Sequence, residues 1–273
     1  MGKKILYRGI LPLIVVIIWE IFSIWLKKPA ILPRVESVLI VLLHPTQKIL
    51  GIGSLLENTI VSVVRVISGF LLAVIVALPL GILMGYFKRV REFTTTLIEL
   101  LRPIPPLAWI PLALAWFGLK NFGDLLGIKT YHPILENLQI AMIFIIFIGA
   151  FFPILLNTIH GVRGVKIILI ESAITLGAKN KDILKKVILP GALPSILTGL
   201  RIGFGIAWMC VVAAEMLPGS NYGLGYLISH AYDIARIDVV IGGMIIIGII
   251  GVVANTIFEF FERKMFRWRA KSY

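Results

Sequence analysis

The sequence predicts an all-α membrane protein of six spans, with a charged cytoplasmic loop between the fourth and the fifth. Three observations carry this. First, 59% of the 273 residues are hydrophobic and the mean hydropathy is +0.97, where a soluble domain is about half apolar. Second, apolar runs recur at about the twenty residues that a helix needs to cross a hydrocarbon core of ~30 Å. Third, Lys and Arg cluster at the ends of alternate runs, as they do in cytoplasmic loops.

The first span covers 9–27. Lys3, Lys4 and Arg8 precede it as in a signal peptide, but Lys27, Lys28 and Pro29 follow with no small-residue cleavage site, so we expect it to be retained. Between about 30 and 57, Val38 to Leu43 reads as a short surface helix. The second span, 60–86, is punctuated by Gly69, Pro79, Gly81 and Gly85, which neighbouring helices tolerate and which permit close packing. The third, 96–118, contains Pro103, Pro105, Pro106 and Pro111. A polar segment, Lys120 to Asn137, leads to the fourth span at 138–158. The fifth is 192–216 and the sixth 239–261. The organisation is a first span with its outer segment (1–57), a five-helix core (58–262) containing the loop 159–191, and a basic tail (263–273).

The net charge of +13 could suggest nucleic acid, but the basic residues sit beside apolar runs, and we expect no nucleic-acid partner. With the N-terminus inside, 17 of the 27 Lys and Arg fall in inner segments and seven in outer ones. That asymmetry places both termini and the loop in the cytoplasm of a multi-pass cell-membrane protein, with the lipid bilayer as its solvent.

The loop from Glu171 to Pro190 is the longest polar interruption of the chain. Ile167, Ile170 and Ile174 make one apolar stripe at helical spacing. Gly177 then breaks the pattern, as a residue tolerant of positive φ does between two helices. A second amphipathic segment carries Ile183, Leu184, Val187 and Ile188 against Lys181, Asp182, Lys185 and Lys186, and Pro190 is expected to end it. Periodicity alone allows two readings: two short helices at a membrane surface, or a loop with a solvated charged face.

The residues Glu171, Ala173, Gly177, Val187, Leu189 and Pro190 resemble the EAA loop of ABC-importer permeases, with Ser172 in place of the first Ala. LRPIPPLAWIPLALAWFG (Leu101 to Gly118), FFPILLNTIHGVRGV (Phe151 to Val165), LPSILTGLRIGFGIAWMCVVAAEM (Leu193 to Met216) and GLGYLI (Gly223 to Ile228) are similar to the nitrate, sulfonate and taurine branch of that family. The resemblance implies a type I ABC importer permease fold. The loop would be a coupling helix seated on a separate ATPase subunit, carried by Glu171, Ser172, Ala173, Gly177, Ala178, Leu189 and Pro190. Gly177 would make the turn, Glu171 an ion pair or helix cap that fixes the loop, and Ala173 a close approach. It also implies partners: an ABC ATPase dimer that binds the ATP, a periplasmic or extracellular solute-binding protein, and a second permease copy, taken as a homodimer. The solute would be a sulfonate, nitrate, taurine or similar small molecule.

Ionisable groups inside spans cost about 2.5–3.5 kcal/mol each at a helix centre, so each needs a reason. Arg201, in the fifth span, either lines the translocation path or pairs with another buried group. Glu215 lies near the outer end of the same span and joins it as a path candidate. Arg65 is expected to snorkel, and Glu99 with Arg102, spaced i,i+3, to form an interfacial pair. Pro103, Pro105 and Pro106 prevent a regular helix, so that stretch is expected to face other spans or the pore. Trp109 is held open as a pore residue, and Trp116 reads as an interfacial anchor.

No GxxxxGK[ST] phosphate loop occurs, His44, His132, His160 and His230 have no metal-ligand spacing, and Cys210 stands alone in an apolar run. We therefore read no catalysis and no cofactor in this chain. Two alternatives remain. An ion-gradient-driven secondary transporter would show internal repeats and buried acidic coupling residues; a membrane scaffold would tolerate loop mutations.

Overall fold

A computed structural model describes residues 2–49, 51, 53–121, 137–217 and 219–265. The greater part of the expected polar segment, 122–136, and the basic tail from 266 onwards lie outside the described residues. The chain forms two compact units, Met1–Ser62 with Glu215–Ile249, and Val63–Ala214 with Ile250–Tyr273.

In the first unit, α1 (Gly2–Leu26) is followed by α2 (Val35–Leu43). The turn between them is fastened to α1 by Trp19 Nε1 donating to Pro33 O (3.0 Å), Ser23 Oγ to Leu32 O (3.1 Å) and Val35 N to Glu20 Oε2 (3.0 Å). A two-stranded antiparallel hairpin, β1 (Lys48–Ile49) and β2 (Gly53–Ser54), leads into α3 (Leu55–Tyr86). The start of α3 is a capping box: Glu57 N donates to Ser54 Oγ (3.1 Å) and Ser54 N donates to Glu57 Oε2 (2.8 Å).

In the second unit, α4 (Lys88–Leu101) is followed by a 3₁₀ turn (Pro106–Trp109) running into α5 (Ile110–Phe117). Next come α6 (Ile140–Arg163), α7 (Ile167–Thr175) and α8 (Asn180–Ile183). A π-helical turn (Leu184–Ile188) connects α8 to α9 (Leu189–Glu215). α10 (Leu224–Asp233) and the start of α11 (Ile237–Met265), as far as Ile249, belong to the first unit, and the rest of α11 to the second. Among the described residues of the second unit, apolar side chains pack around Ala113, Ala141, Met142, Ile145, Cys210 and Ala214, and around Val162, Ile183, Ile188, Ala192 and Ile196. Phe70, Phe204 and Phe258 stack edge to face or tilted, with centroids 5.3–6.4 Å apart, and so tie α3, α9 and α11 together.

Among the described residues, four helices are long and apolar enough to cross a membrane: those over 55–86, 140–163, 180–215 and 237–265. The third expected span is not one helix. Residues 88–101 and 106–117 meet at 86°, because Pro103, Pro105 and Pro106 supply no backbone donors where a straight helix needs them. The apolar part of α1, Ile10–Leu26, is shorter than the other spans.

Pro190 does not end the loop's second segment, contrary to the sequence expectation. Helix runs unbroken from Asn180 to Glu215. The π turn at Leu184–Ile188 widens the backbone just before the proline, relieving its clash with the carbonyl four residues back.

Small residues set the helix spacing. A Cβ on Gly81 would lie 2.7 Å from Thr158 Cβ and 3.1 Å from Leu155 O on α6, whereas a Cβ on Gly205 meets nothing within 4 Å. Gly81→Val is expected to lower the thermal midpoint of the solubilised protein, an overpacking cost of about 1–3 kcal/mol. Gly205→Ala should leave it unchanged or raised. Equal midpoints for the two variants would show that α3 and α6 are not held at contact distance.

Candidate functional site: the loop and the groups inside the spans

The loop 167–188 is built around a left-handed turn. Gly177 has φ +81°. Its N–H donates to Ile174 O (2.9 Å), and the next residue, Ala178, donates to Ala173 O (3.0 Å). These two bonds close the last carbonyls of α7 in a Schellman motif. Ala173 and Ala178 are half-buried, and with Ile170 they pack on the apolar centre around Ile183 and Ile188. Small side chains here let α7 lie against the start of the long helix.

The outer face of α7 is apolar and uncovered. Ile167, Ile168, Leu169, Ile174 and Leu176 are 52–88% exposed, and covering such a side chain fully contributes about 1.5–3 kcal/mol. Ser172 Oγ donates to Ile168 O (2.7 Å) and Thr175 Oγ1 to Glu171 O (3.0 Å), so both hydroxyls turn back onto their own helix. Glu171 is exposed, and its carboxylate makes neither an ion pair nor a helix cap among the described residues. The C-terminus of α7 is closed by backbone bonds.

The charged segment after the turn is solvated. Lys186 Nζ lies 2.9 Å from Asp182 Oδ1, and the hydrogen bond and charge of Lys186 hold that exposed carboxyl below the usual range. Leu189 is half-buried and Pro190 exposed, both inside the continuous helix. At 1.5 Å per residue, the 36 residues from Asn180 to Glu215 are far longer than a ~30 Å hydrocarbon core. The loop and the fifth span are thus one lever.

Arg201 pairs. Its Nη2 is 2.9 Å from Glu259 Oε1, its Nε donates to Asn255 Oδ1 (2.6 Å), and Nη1 is 3.8 Å from Glu262. Asn255 Nδ2 also donates to Glu259 (3.0 Å). The cation is compensated by two carboxylates on α11.

Glu215 is fully buried and faces a knot of donors rather than open space. Ser62 Oγ lies 2.9 and 2.7 Å from its two oxygens, and Gly225 N donates to Oε2 (3.0 Å). Leu224 N donates to Ser62 Oγ (2.8 Å) and Gly223 N to Asn58 Oδ1 (2.7 Å). The first N–H groups of α10, which have no partner within their own helix, are satisfied by side chains from α3 and by Glu215. Gly223 has φ +122°, and a Cβ there would land on the Glu215 carboxyl group. Glu215 thereby caps the first turn of α10. The sequence reading missed Asn58 and Ser62; only their spacing of four, one helical turn, hinted at a shared face.

Arg65 does not snorkel: it is fully buried and its Nε donates to Asn137 O (2.8 Å). Glu99 and Arg102 form no ion pair among the described residues, although Arg102 keeps helical backbone angles and donates its N–H to Ile98 O (2.9 Å) at the end of α4. Pro103, Pro105 and Pro106 form the break that follows, and Trp109 packs edge-on against Phe144 (6.3 Å). Trp116 is 58% exposed, which suits an interfacial anchor.

Comparison with known proteins agrees with this architecture. Residues 77–267 match the model of the binding-protein-dependent transport system inner membrane component family. A putative ABC transporter permease of Methanocaldococcus jannaschii is 60% identical over 98% of this chain and 93% of its own. A putative aliphatic sulfonates transport permease of Bacillus subtilis is 33% identical (95% and 86%), and a bicarbonate transport system permease of Synechococcus elongatus 35% identical (92% and 86%). Among solved structures, the MetNI methionine ABC transporter in an inward-facing conformation superposes with TM-score 0.63 at 17% identity, over 77% of this chain and 95% of that one. The chain belongs to the binding-protein-dependent transport system inner membrane components, the permease subunits of ABC importers, on the sulfonate, taurine and nitrate side of that family.

Proposed function

We propose that this permease carries a small anionic solute inward by ATP-driven alternating access, as one of two identical copies. An ABC ATPase dimer docks in the cytoplasm on the loop around Glu171, and a solute-binding protein delivers from outside. Both termini are cytoplasmic, ATP is bound by the partner, and this chain catalyses nothing. One observation carries the reading: an uncovered apolar helix, α7, is clamped by a Schellman turn onto a helix that continues without interruption into a span. A push on α7 is therefore passed to α9 as a rigid-body displacement, which is what rocking between inward and outward states requires. Glu171, without a side-chain partner among the described residues, is left to meet a cationic or N–H group of the ATPase. The sulfonate assignment draws on the B. subtilis relative; the S. elongatus relative, named for bicarbonate, widens the class to small oxyanions.

The test is co-expression with the neighbouring genes, purification in mild detergent, and assay of ATP hydrolysis. An ATPase subunit should co-purify and be lost when 171–186 is deleted. A complex that retains the ATPase without the loop overturns the docking assignment. Uptake that collapses with the ion gradient while ATP is held constant would favour the ion-driven alternative.

A further inference from the structure

The helix before the proline break, α4, has a defined direction and two unlike faces. α5 runs alongside the span α6: Asn121 bridges to Gln139, Ala113 packs with Ala141 and Ile145, and Trp109 meets Phe144. α4 meets the 106–117 segment at 86°, so it runs across the spans and not along them. It starts at the loop end of α6, where a Cβ on Gly85, just before α4, would lie 2.6 Å from Val162 Cβ. α4 therefore lies across the bundle at the level where the loop begins.

Its composition suits a membrane surface. Five of its 14 residues are charged, namely Lys88, Arg89, Arg91, Glu92 and Glu99, which a hydrocarbon core does not accept. At ~21 Å it is also too short to cross a core of ~30 Å. Yet Phe93, Leu97 and Leu100, at helical spacing on one face, are 88%, 60% and 68% exposed, while Ile98, on another face, is buried. Lys88, Glu92, Thr96 and Glu99 form an exposed polar face beside that apolar stripe. Arg89, one turn before Phe93, falls where the two faces meet. Lys88 Nζ lies 3.6 Å from Glu92. Arg89 and Arg91 have no ion pair among the described residues.

We infer that α4 is an interfacial helix docked on anionic phospholipid. Phe93, Leu97 and Leu100 enter the acyl region of the leaflet on the loop side, and Lys88, Arg89 and Arg91 hold phosphate groups at its surface. The position of the charge selects lipid over protein as the cover: the cations border the apolar face as headgroups border acyl chains. A guanidinium fork matches two phosphate oxygens, and each cation near an anionic surface adds to the attraction. The expected span 96–118 then begins only after the break. The inference goes beyond the importer reading, since it holds for any solute and any partner subunit.

The test uses the full-length permease complex in nanodiscs of equal phosphatidylcholine and phosphatidylglycerol. Nitroxide labels are attached one at a time through Leu97→Cys and Thr96→Cys in a Cys210→Ser background. The Leu97 label should collide with oxygen and be protected from a polar nickel chelate, and the Thr96 label should show the reverse. Both labels open to the chelate would put α4 in water, both protected from it would immerse the helix, and a Leu97 label closed to both reagents would put a protein on the stripe; each overturns the inference. The headgroup preference is read with spin-labelled phosphatidylglycerol and phosphatidylcholine. Wild type should favour phosphatidylglycerol. Lys88→Gln with Arg89→Gln should weaken its association about fivefold per cation lost. Glu92→Gln should strengthen it, a change of sign that a merely disturbed helix does not give. These three residues are exposed, so the fold is not at stake. If Cys210→Ser fails to assemble, the glutamine variants, which keep Cys210, decide. An unchanged preference in the double variant assigns the lipid to other basic segments and overturns the headgroup contact.

Discussion

Gly177→Val is expected to abolish uptake while the protein still inserts into the membrane. A Cβ at Gly177 meets nothing within 4 Å, so among the described residues the branch point of the new side chain has open space. Its entire effect is on the backbone. At φ +81° an L-residue pays roughly 1–2 kcal/mol, and β-branching stiffens the side chain further. The segment escapes by leaving the left-handed region. It then gives up the Gly177–Ile174 and Ala178–Ala173 hydrogen bonds, each contributing about 1 kcal/mol net. Neither sum is enough to unfold the spans, whose helices are independent of this turn. It is enough to unclamp α7 from the Ile183–Ile188 centre, and an unclamped α7 transmits no displacement. Gly177→Asn should retain much of the uptake, since Asn tolerates the left-handed region, and Gly177→Ala should fall between the two. Radiolabelled uptake, with the membrane-fraction level as control, ranks the three. Full uptake by a well-inserted valine variant would show that the turn is not needed.

Glu215→Ala should give the largest loss of stability of any single substitution discussed here. The carboxylate accepts from Ser62 Oγ and Gly225 N inside a fully buried pocket. Removing it strands a backbone N–H at the start of α10 and frees a hydroxyl that also holds Leu224 N. Buried donors left without acceptors cost about 1–3 kcal/mol each, so a loss on the order of 3 kcal/mol is expected. Glu215→Gln should recover part of it, because one oxygen remains while the new amide N–H₂ faces donors. Ser62→Ala should behave like a milder version of the alanine variant. Gly223→Ala should fail by another route, since its Cβ occupies the place of the carboxyl group. Thermal midpoints of the detergent-solubilised variants measure all four. A Glu215→Ala midpoint equal to wild type would mean that water, not the carboxylate, satisfies the first turn of α10.

Much of this protein is local and could be read from the chain. Composition and the length of the apolar runs determine a multi-span membrane protein, because a bilayer of fixed thickness imposes length and polarity on each helix separately. The turn at Gly177 was legible for the same reason: a glycine between two amphipathic segments answers a backbone demand two residues wide. The Ser54–Glu57 capping box is equally local, a serine three residues before a glutamate at the start of α3. What the sequence could not determine involves partners distant along the chain. Arg201 finds Glu259 58 residues away, and Glu215 finds Ser62 153 residues away. Nothing in the spacing of either residue distinguishes a path-lining charge from a compensated one. Likewise the prolines announce a break but not its 86° angle, and Pro190 reads as a terminator until a π turn takes up its missing bond. Only packing in three dimensions decides which charges find partners.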